Sequence, residues 1–360
     1  MLEIWEPPNY SEVLLLLGPS GKLPQLRQYA INRLNEVSDE ILLLILLPLV
    51  QALRYEDFSK LPNFNNIEKN EAINDIKNDN FEISDIFSLD CSKDPQRLLD
   101  YDATMNKRAS LSEEEINEQD KCEILPKKDE LLVEFLIRRS AKNIQLCNYF
   151  YWYVAVEWSD LSKNNPYSKS FEIFQTVLNL FRKLLRLNNL YFTINLQAIA
   201  LQIPLDNALK RVLRKLNKRK KLNVLHAILS DEEYLQYDLS KFPHLTPLLL
   251  DPTIICDGII LSETKIFSSS LAPIYITFTT RNKKTYPLIF KSGDDLRQDQ
   301  LILQIIALID LLLLQVNLDC KLTPYKVLAT DTEHGYVEYI KSMAVADIIQ
   351  KYGFLFKYDP

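Results

Sequence analysis

Cysteine and histidine are scarce in this chain of 360 residues: five cysteines, Cys91, Cys122, Cys147, Cys256 and Cys320, and three histidines. The cysteines are odd in number, scattered and without a Cys-x-x-Cys pair. That excludes a disulfide framework and implies reduced thiols in the cytosol, without a metal site. The histidines show no metal-ligand spacing. Basic charge is not in excess either: 42 Lys and Arg against 48 Asp and Glu give a net charge of −6, which argues against a chain-wide nucleic-acid footprint, so no nucleic-acid partner is expected. No apolar run reaches the roughly 18 residues of a membrane-spanning helix, and Ile41 to Val50 is short and holds Pro48. The N-terminus carries no basic-then-apolar signal pattern. Any membrane contact is therefore expected to be peripheral.

What is present is enough for two domains, each with its own core. Residues 1–58 have helical periodicity. Leu26, Tyr29, Ala30 and Leu34 fall on one face, Ser38-Asp39-Glu40 is a helix start, and Pro48 marks a kink or a boundary. Residues 59–128 change to Asn, Asp, Glu, Lys and Ser and are expected to be a mostly disordered insertion outside the core. Within it Ser110 and Ser112, beside Glu113-Glu114-Glu115, leave two readings open, a phosphorylation site or a solvated acidic tract. Helices return over 129–182, where Tyr149, Phe150, Trp152 and Tyr153 are expected as packing core of a solenoid. A further helical segment over 205–230 is basic, with Lys210, Arg211, Arg214, Lys215, Lys218, Arg219, Lys220 and Lys221. A solvated charged face and attraction to an anionic membrane surface both remain open for it. From Pro247 the pattern turns to short β-rich runs, with Asn282-Lys283-Lys284 as a hairpin turn.

The segment Tyr286 to Gln300 is the most specific. An apolar strand delivers Lys291, Gly293 turns the chain, and Asp294, Asp295, Arg297 and Asp299 precede an apolar helix from Leu301 to about Leu314. A lysine at a strand end, followed by acids where a helix begins, suits a grip on nucleotide phosphates. From that local pattern alone, a solvent-facing lysine is an equally good reading.

The run Ile289-Phe290-Lys291-x-Gly293-Asp294-Asp295-Leu296-Arg297-Gln298-Asp299 resembles the signature of phosphatidylinositol 3-kinases. Leu318 to Thr330 with His334-Gly335 resembles the class III members, the lipid kinases of vacuolar sorting and autophagy. Leu46 to Phe58 and Phe135 to Trp158 resemble their helical domain, and Pro247 to Pro252 and Phe267 to Pro273 the entry to their kinase domain. Several motifs in family order make the likeness specific. The resemblance implies a multi-domain α and α+β chain. An α-helical solenoid (1–58 and 129–230) is followed by the small lobe and hinge of a phosphatidylinositol 3/4-kinase domain (240–360), with the catalytic large lobe absent.

The resemblance also implies an ATP site. Lys291 would neutralise phosphate charge, Asp299 would pair with Lys291, and Ser268, Ser269 and Ser270 would form the phosphate loop, although this loop lacks the glycines of protein kinases. Ile289 would pack on the adenine, Tyr325 would line the inner pocket, and the hinge Glu338-Tyr339-Ile340 would offer its backbone to the adenine edge. Asp294 and Asp295 are expected as helix-capping acids and Arg297 as a structural ion-pair partner. Ala272 stands where relatives often carry a larger apolar residue. The family's Asp-Arg-His-x-x-Asn catalytic loop and Asp-Phe-Gly magnesium motif occur nowhere in the 360 residues. No catalytic or metal-ligating residue is therefore assigned. Magnesium ligands are expected in a large lobe, and the chain is expected to be a truncated kinase, inactive alone, with an apolar lobe surface exposed. By resemblance the partners are phosphatidylinositol, a scaffold subunit with kinase-like and propeller domains and a coiled-coil autophagy regulator, on endosomal and autophagic membranes. The alternative is a non-catalytic interaction module built on the helical domain.

Overall fold

A computed structural model describes residues 10–21, 23–57, 130–186, 190–216, 222–343 and 345–352. The expected insertion at 59–128, with Ser110, Ser112, Cys91 and Cys122, lies outside them, as do Lys218 to Lys221.

Three helices open the fold: α1 (Tyr10–Leu17), α2 (Pro24–Leu34) and α3 (Asp39–Ala52). Pro24 sits at the start of α2, where its missing N–H costs nothing. The Ser38 hydroxyl accepts from Ile41 N–H to cap α3. Pro48 lies inside α3 rather than at its boundary. The chain resumes with α4 (Leu132–Lys142), α5 (Ile144–Asn164), α6 (Lys169–Arg186), α7 (Leu190–Leu216), α8 (Leu222–Leu229) and the short α9 (Glu232–Leu235). Asn143 separates α4 from α5 and caps the latter, its side-chain oxygen accepting from Gln145 and Leu146 N–H at 2.9 and 3.1 Å. The described residues of the segment expected over 205–230 are helical, in α7 and α8. From α4 to α9 successive helices pack on one another, and α5 is central, touching α3, α4, α6 and α7.

Glu56 joins the two parts of the helical region. Its carboxylate is buried and accepts from Leu132 and Val133 N–H, at 2.8 and 3.1 Å, in the first turn of α4. Those N–H groups have no partner within the helix, so a carboxylate there satisfies two donors and complements the helix dipole. Arg27 lies 3.8 Å away. Burial pushes the Glu56 carboxyl up, and the two N–H donors and Arg27 only partly offset it.

The aromatic stripe of α5 is core, as expected. Phe150, Trp152 and Tyr153 are buried. A buried polar chain runs through α5: Trp152 Nε1 donates to Gln202 at 3.0 Å, Gln202 to Asn148 at 2.8 Å and Asn148 to Leu249 O at 2.9 Å. The buried thiols of Cys147 and Cys256 are free, burial raising both.

A seven-stranded antiparallel sheet follows: β1 (Thr246–Leu248), β2 (Asp251–Ile259), β3 (Lys265–Ile266), β4 (Ile274–Thr280), β5 (Thr285–Ser292), β6 (Val327–Asp331) and β7 (His334–Glu338). The order is β1-β2-β4-β5-β7-β6, with β3 beside β4. The hairpin turn falls at Asn282 to Lys284 as expected, Lys283 adopting a left-handed φ of 56°. Ile274, Ile276, Phe278, Leu288, Phe290, Leu328 and Tyr336 join one continuous core with the helices. This is why the lobe and the helical region pack as they do.

The helix α10 (Arg297–Gln315) links β5 to β6, and α11 (Val345–Tyr352) follows β7. By length and composition alone, α10 is apolar enough to cross a membrane. Two of its glutamines tie it to the fold. Gln300 accepts from Ala329 N–H at 2.9 Å, satisfying the edge strand β6, and Gln304 donates to Tyr153 Oη at 2.7 Å. Its outer face is bare, with Ile302, Ile305, Ile309, Leu312 and Val316 between 44% and 70% exposed.

Candidate nucleotide site

Strand alternation sorts β5 into two faces. Leu288 and Phe290 point into the core, while Ile289 and Lys291 are half-buried on the other side. The register places Ile289 between Tyr275 of β4 and Val337 of β7, and Lys291 opposite Gly335. Tyr339 meets Tyr275 edge to face, with ring centroids 4.9 Å apart. One face of the sheet thus gathers an aliphatic side chain, two aromatic rings and an ammonium, a combination suited to a flat heterocycle bearing phosphates.

The turn after Lys291 is set by Gly293, whose φ of +79° favours glycine. Its N–H donates to Glu333 O at 2.8 Å. This reversal brings Asp294 back to the lysine, with Nζ to Oδ2 at 3.0 Å. The expected Lys291–Asp299 pair is therefore corrected: Asp294 holds the ammonium, and Asp299 is exposed on the first turn of α10. The capping expectation holds for Asp295, which accepts from Arg297 N–H at 3.1 Å. Arg297 is the ion-pair partner expected, bridging Asp295 at 2.7 Å and Asp160 of α5 at 3.0 Å. Hydrogen bonding to Arg297 outweighs partial burial and lowers the Asp295 carboxyl.

Ser268, Ser269 and Ser270 lie exposed in the β3–β4 loop. Ala272 closes this loop in the left-handed region (φ 47°), its N–H on Ser269 O at 3.0 Å. Leu271 reaches across, and a Cβ on Gly293 would lie 3.3 Å from its Cδ2. The serine loop and the lysine turn are therefore neighbours.

At the hinge, Glu338 N–H donates to Lys326 O at 2.8 Å, and Lys326 N–H goes to the Glu338 carboxylate at 2.9 Å. The Glu338 amide is spent in the structure, so the hinge expectation narrows to its carbonyl and to Ile340. Tyr325 and Ile340 are exposed, at 38% and 41%. Tyr286 also donates to Glu338 at 3.3 Å. The described lysines and arginines of the basic segment are partly committed elsewhere: Lys210 to Asp206, Lys215 to Asp231, and Arg211 to Leu235 O. That favours the structural reading of those three.

A cleft of about 690 Å³ opens at the far end of the sheet, around Lys241, Phe242, His244, Lys283 and Lys284, and shares no residue with the Lys291 site. Among the described residues, no group of three or more His, Cys, Asp or Glu is placed to hold a metal ion.

Residues 1–186 match the model of the phosphoinositide 3-kinase family accessory domain, the PIK domain. The chain belongs to the phosphoinositide 3-kinase family. In this family member, residues 285–360 additionally match the model of phosphatidylinositol 3- and 4-kinase, a span that begins with β5 and includes Lys291. The phosphatidylinositol 3-kinase VPS34 of Candida glabrata is 33% identical over 367 residues, covering 98% of this chain and 38% of its own length. VPS34 of Saccharomyces cerevisiae is 34% identical over 353 residues, with 98% and 37% covered. The phosphatidylinositol 3-kinase pik3 of Schizosaccharomyces pombe is 30% identical over 357 residues, with 98% and 35% covered. The chain thus spans less than two fifths of the length of these relatives.

Proposed function

We propose that this chain carries the accessory domain and the nucleotide-gripping lobe of a class III phosphatidylinositol 3-kinase. Such an enzyme transfers the γ-phosphate of ATP to the 3-hydroxyl of phosphatidylinositol. The observation that carries the reading is Lys291, held by Asp294 at the strand end beside the serine loop, within the span that matches the kinase model.

The residues fit ATP in part. Lys291 supplies charge to the phosphates, the hydroxyls of Ser268, Ser269 and Ser270 are donors, Ile289 and the Tyr275–Tyr339 pair give the base an apolar surface, and the Glu338 carbonyl and Ile340 N–H are the hinge groups. Asp299 stands free to act on a bound ligand or on residues beyond the described ones. Magnesium does not fit the described residues, which offer no ligand cluster. Neither catalytic motif occurs in the 360 residues, so these residues bind and orient the nucleotide and assign no base to the lipid hydroxyl. As an extension of the same reading, the partners are a scaffold subunit and a coiled-coil autophagy regulator, with peripheral contact at endosomal and autophagic membranes.

The test is nucleotide binding and ATP-dependent phosphorylation of phosphatidylinositol vesicles by the 360-residue chain, beside Lys291→Ala. Nucleotide binding lost in Lys291→Ala, with no lipid product from either protein, is the expected result. Binding unaffected by the substitution overturns the site, and lipid turnover overturns the assignment of a binding role alone.

A further inference from the structure

A buried charged cluster lies not on the nucleotide face but behind it, where α5 and α7 meet the β6–β7 hairpin. Asp206 of α7 is 2% exposed, with Leu205, Ala208, Leu209 and Val212 buried around it in sequence. Its Oδ1 accepts from Tyr336 Oη at 2.9 Å and from Thr330 Oγ1 at 2.9 Å, and its Oδ2 lies 2.7 Å from Lys210 Nζ. Lys210 also donates to Thr330 O at 3.2 Å. Next to it, Asp331 accepts from Ser159 at 2.9 Å and pairs with Lys163 at 3.0 Å, both on α5. Burial opposes the Asp331 charge, but Lys210, Lys163, Thr332 N–H and Ser159 outweigh it and hold the carboxyl well below the ordinary range.

A carboxylate this deep is costly unless its donors are in place. Two of the three donors to Asp206 belong to the hairpin. The carboxylate is therefore satisfied only when the hairpin is docked. Tyr336 then passes the constraint to the nucleotide face. Its ring stacks on Phe290 at 4.7 Å, Phe290 precedes Lys291, and Tyr336 lies between Gly335, which faces Lys291, and Glu338 of the hinge.

We propose that Asp206 of the helical region is a positioning residue for the nucleotide site. Through Tyr336 and Thr330 it fixes the strand that carries the hinge relative to Lys291, so that the accessory helices form the back wall of the nucleotide half-site. The proposal rests on the functional reading above for its consequence, and on the geometry alone for its mechanics.

The test uses the 360-residue chain and three variants. Tyr336→Phe removes the hydroxyl and keeps the ring stacked on Phe290. Asp206→Ala removes the acceptor. Asp206→Asn keeps an acceptor oxygen for Tyr336. Two readouts are taken: hydrogen exchange of the Gly293 and Glu338 amides, which donate to Glu333 O and Lys326 O, and affinity for a fluorescent ATP analogue. Tyr336→Phe and Asp206→Ala are expected to speed exchange at both amides by about tenfold, with α5 amides unchanged, because sub-global opening is local. Asp206→Asn is expected to recover most of that protection, and analogue affinity is expected to fall and recover in the same order. Unchanged exchange at Gly293 and Glu338, or an increase spread evenly over α5 and the lobe, overturns the proposal. Failure of the wild-type chain to bind the analogue sinks the functional reading, while the exchange data still decide the positioning role.

Discussion

Gly335 has no room for a side chain, and replacing it with alanine is the sharpest test of how the lobe is built. A Cβ there would lie 2.4 Å from Leu328 O, 2.9 Å from Ala329 Cα and 2.8 Å from Leu296 Cδ1. The closest approach is about 1 Å inside the 3.4 Å at which ordinary contact begins. Two of the three obstacles are backbone of the neighbouring strand and cannot rotate aside, so β7 has to move from β6. Overpacking of this kind costs about 1–3 kcal/mol, and the backbone obstacles place Gly335→Ala toward the upper end. Gly258→Ala is the matched control. Its Cβ would meet Ser240 O at 2.2 Å, an equal clash in β2, away from Lys291. Urea unfolding is expected to show both variants destabilised by a similar amount. Only Gly335→Ala is expected to weaken binding of an ATP analogue, because Gly335 faces Lys291 across the β5–β7 ladder. A Gly335→Ala protein within about 0.5 kcal/mol of wild type refutes the packing argument. Equal loss of nucleotide affinity in both variants refutes the link between β7 and the site.

Three further outcomes are expected. Glu56→Ala leaves two N–H groups at the start of α4 unpaired and takes the nearby carboxylate from Arg27, which keeps its bond to Leu17 O, and should cost about 2–4 kcal/mol in urea unfolding. Glu56→Gln keeps one acceptor oxygen for one of the two N–H groups and should cost less than Glu56→Ala, and equal costs would contradict the assignment. His334 is pushed below its usual value by burial and by Lys210, against the opposing pull of Asp331, Asp206 and Glu333. A depressed histidine is more easily protonated in the unfolded chain. Its contribution to the pH slope is therefore flat above about pH 6.5 and destabilising as pH falls through the folded value. Unfolding midpoints between pH 7.5 and 5 should fall less steeply in His334→Gln than in wild type. Asp331 acts in a separate window, its stabilisation being present above about pH 4 and lost below it.

Much of the architecture is legible in the residues. Helical period, the Ser38 cap and the α5 aromatics mark the accessory helices. The hairpin at Asn282 to Lys284 and the lysine after an alternating strand mark the lobe. The partner of Lys291 is not legible, because three acids, Asp294, Asp295 and Asp299, follow it and only the left-handed turn at Gly293 chooses Asp294. The clamp at Asp206 is missed for a different reason. An Asp and Lys four apart on a helix resemble an ordinary surface pair. The signal is that Asp206 lies among Leu205, Ala208, Leu209 and Val212, on the apolar side of α7. Its partners, Thr330 and Tyr336, are more than 120 positions away, a separation that periodicity cannot bridge.

The Glu56 contact works as a seam in the helical region. Position 56 and the start of α4 at 132 are held within hydrogen-bond distance of each other, and Glu130 is anchored beside them by Arg138 at 2.7 Å. Two stretches of helix 76 positions apart in sequence are thus joined by side chains. The seam is stitched with charge, from a carboxylate to backbone donors and from a guanidinium to a carboxylate, so it is directional where the apolar core around it is not.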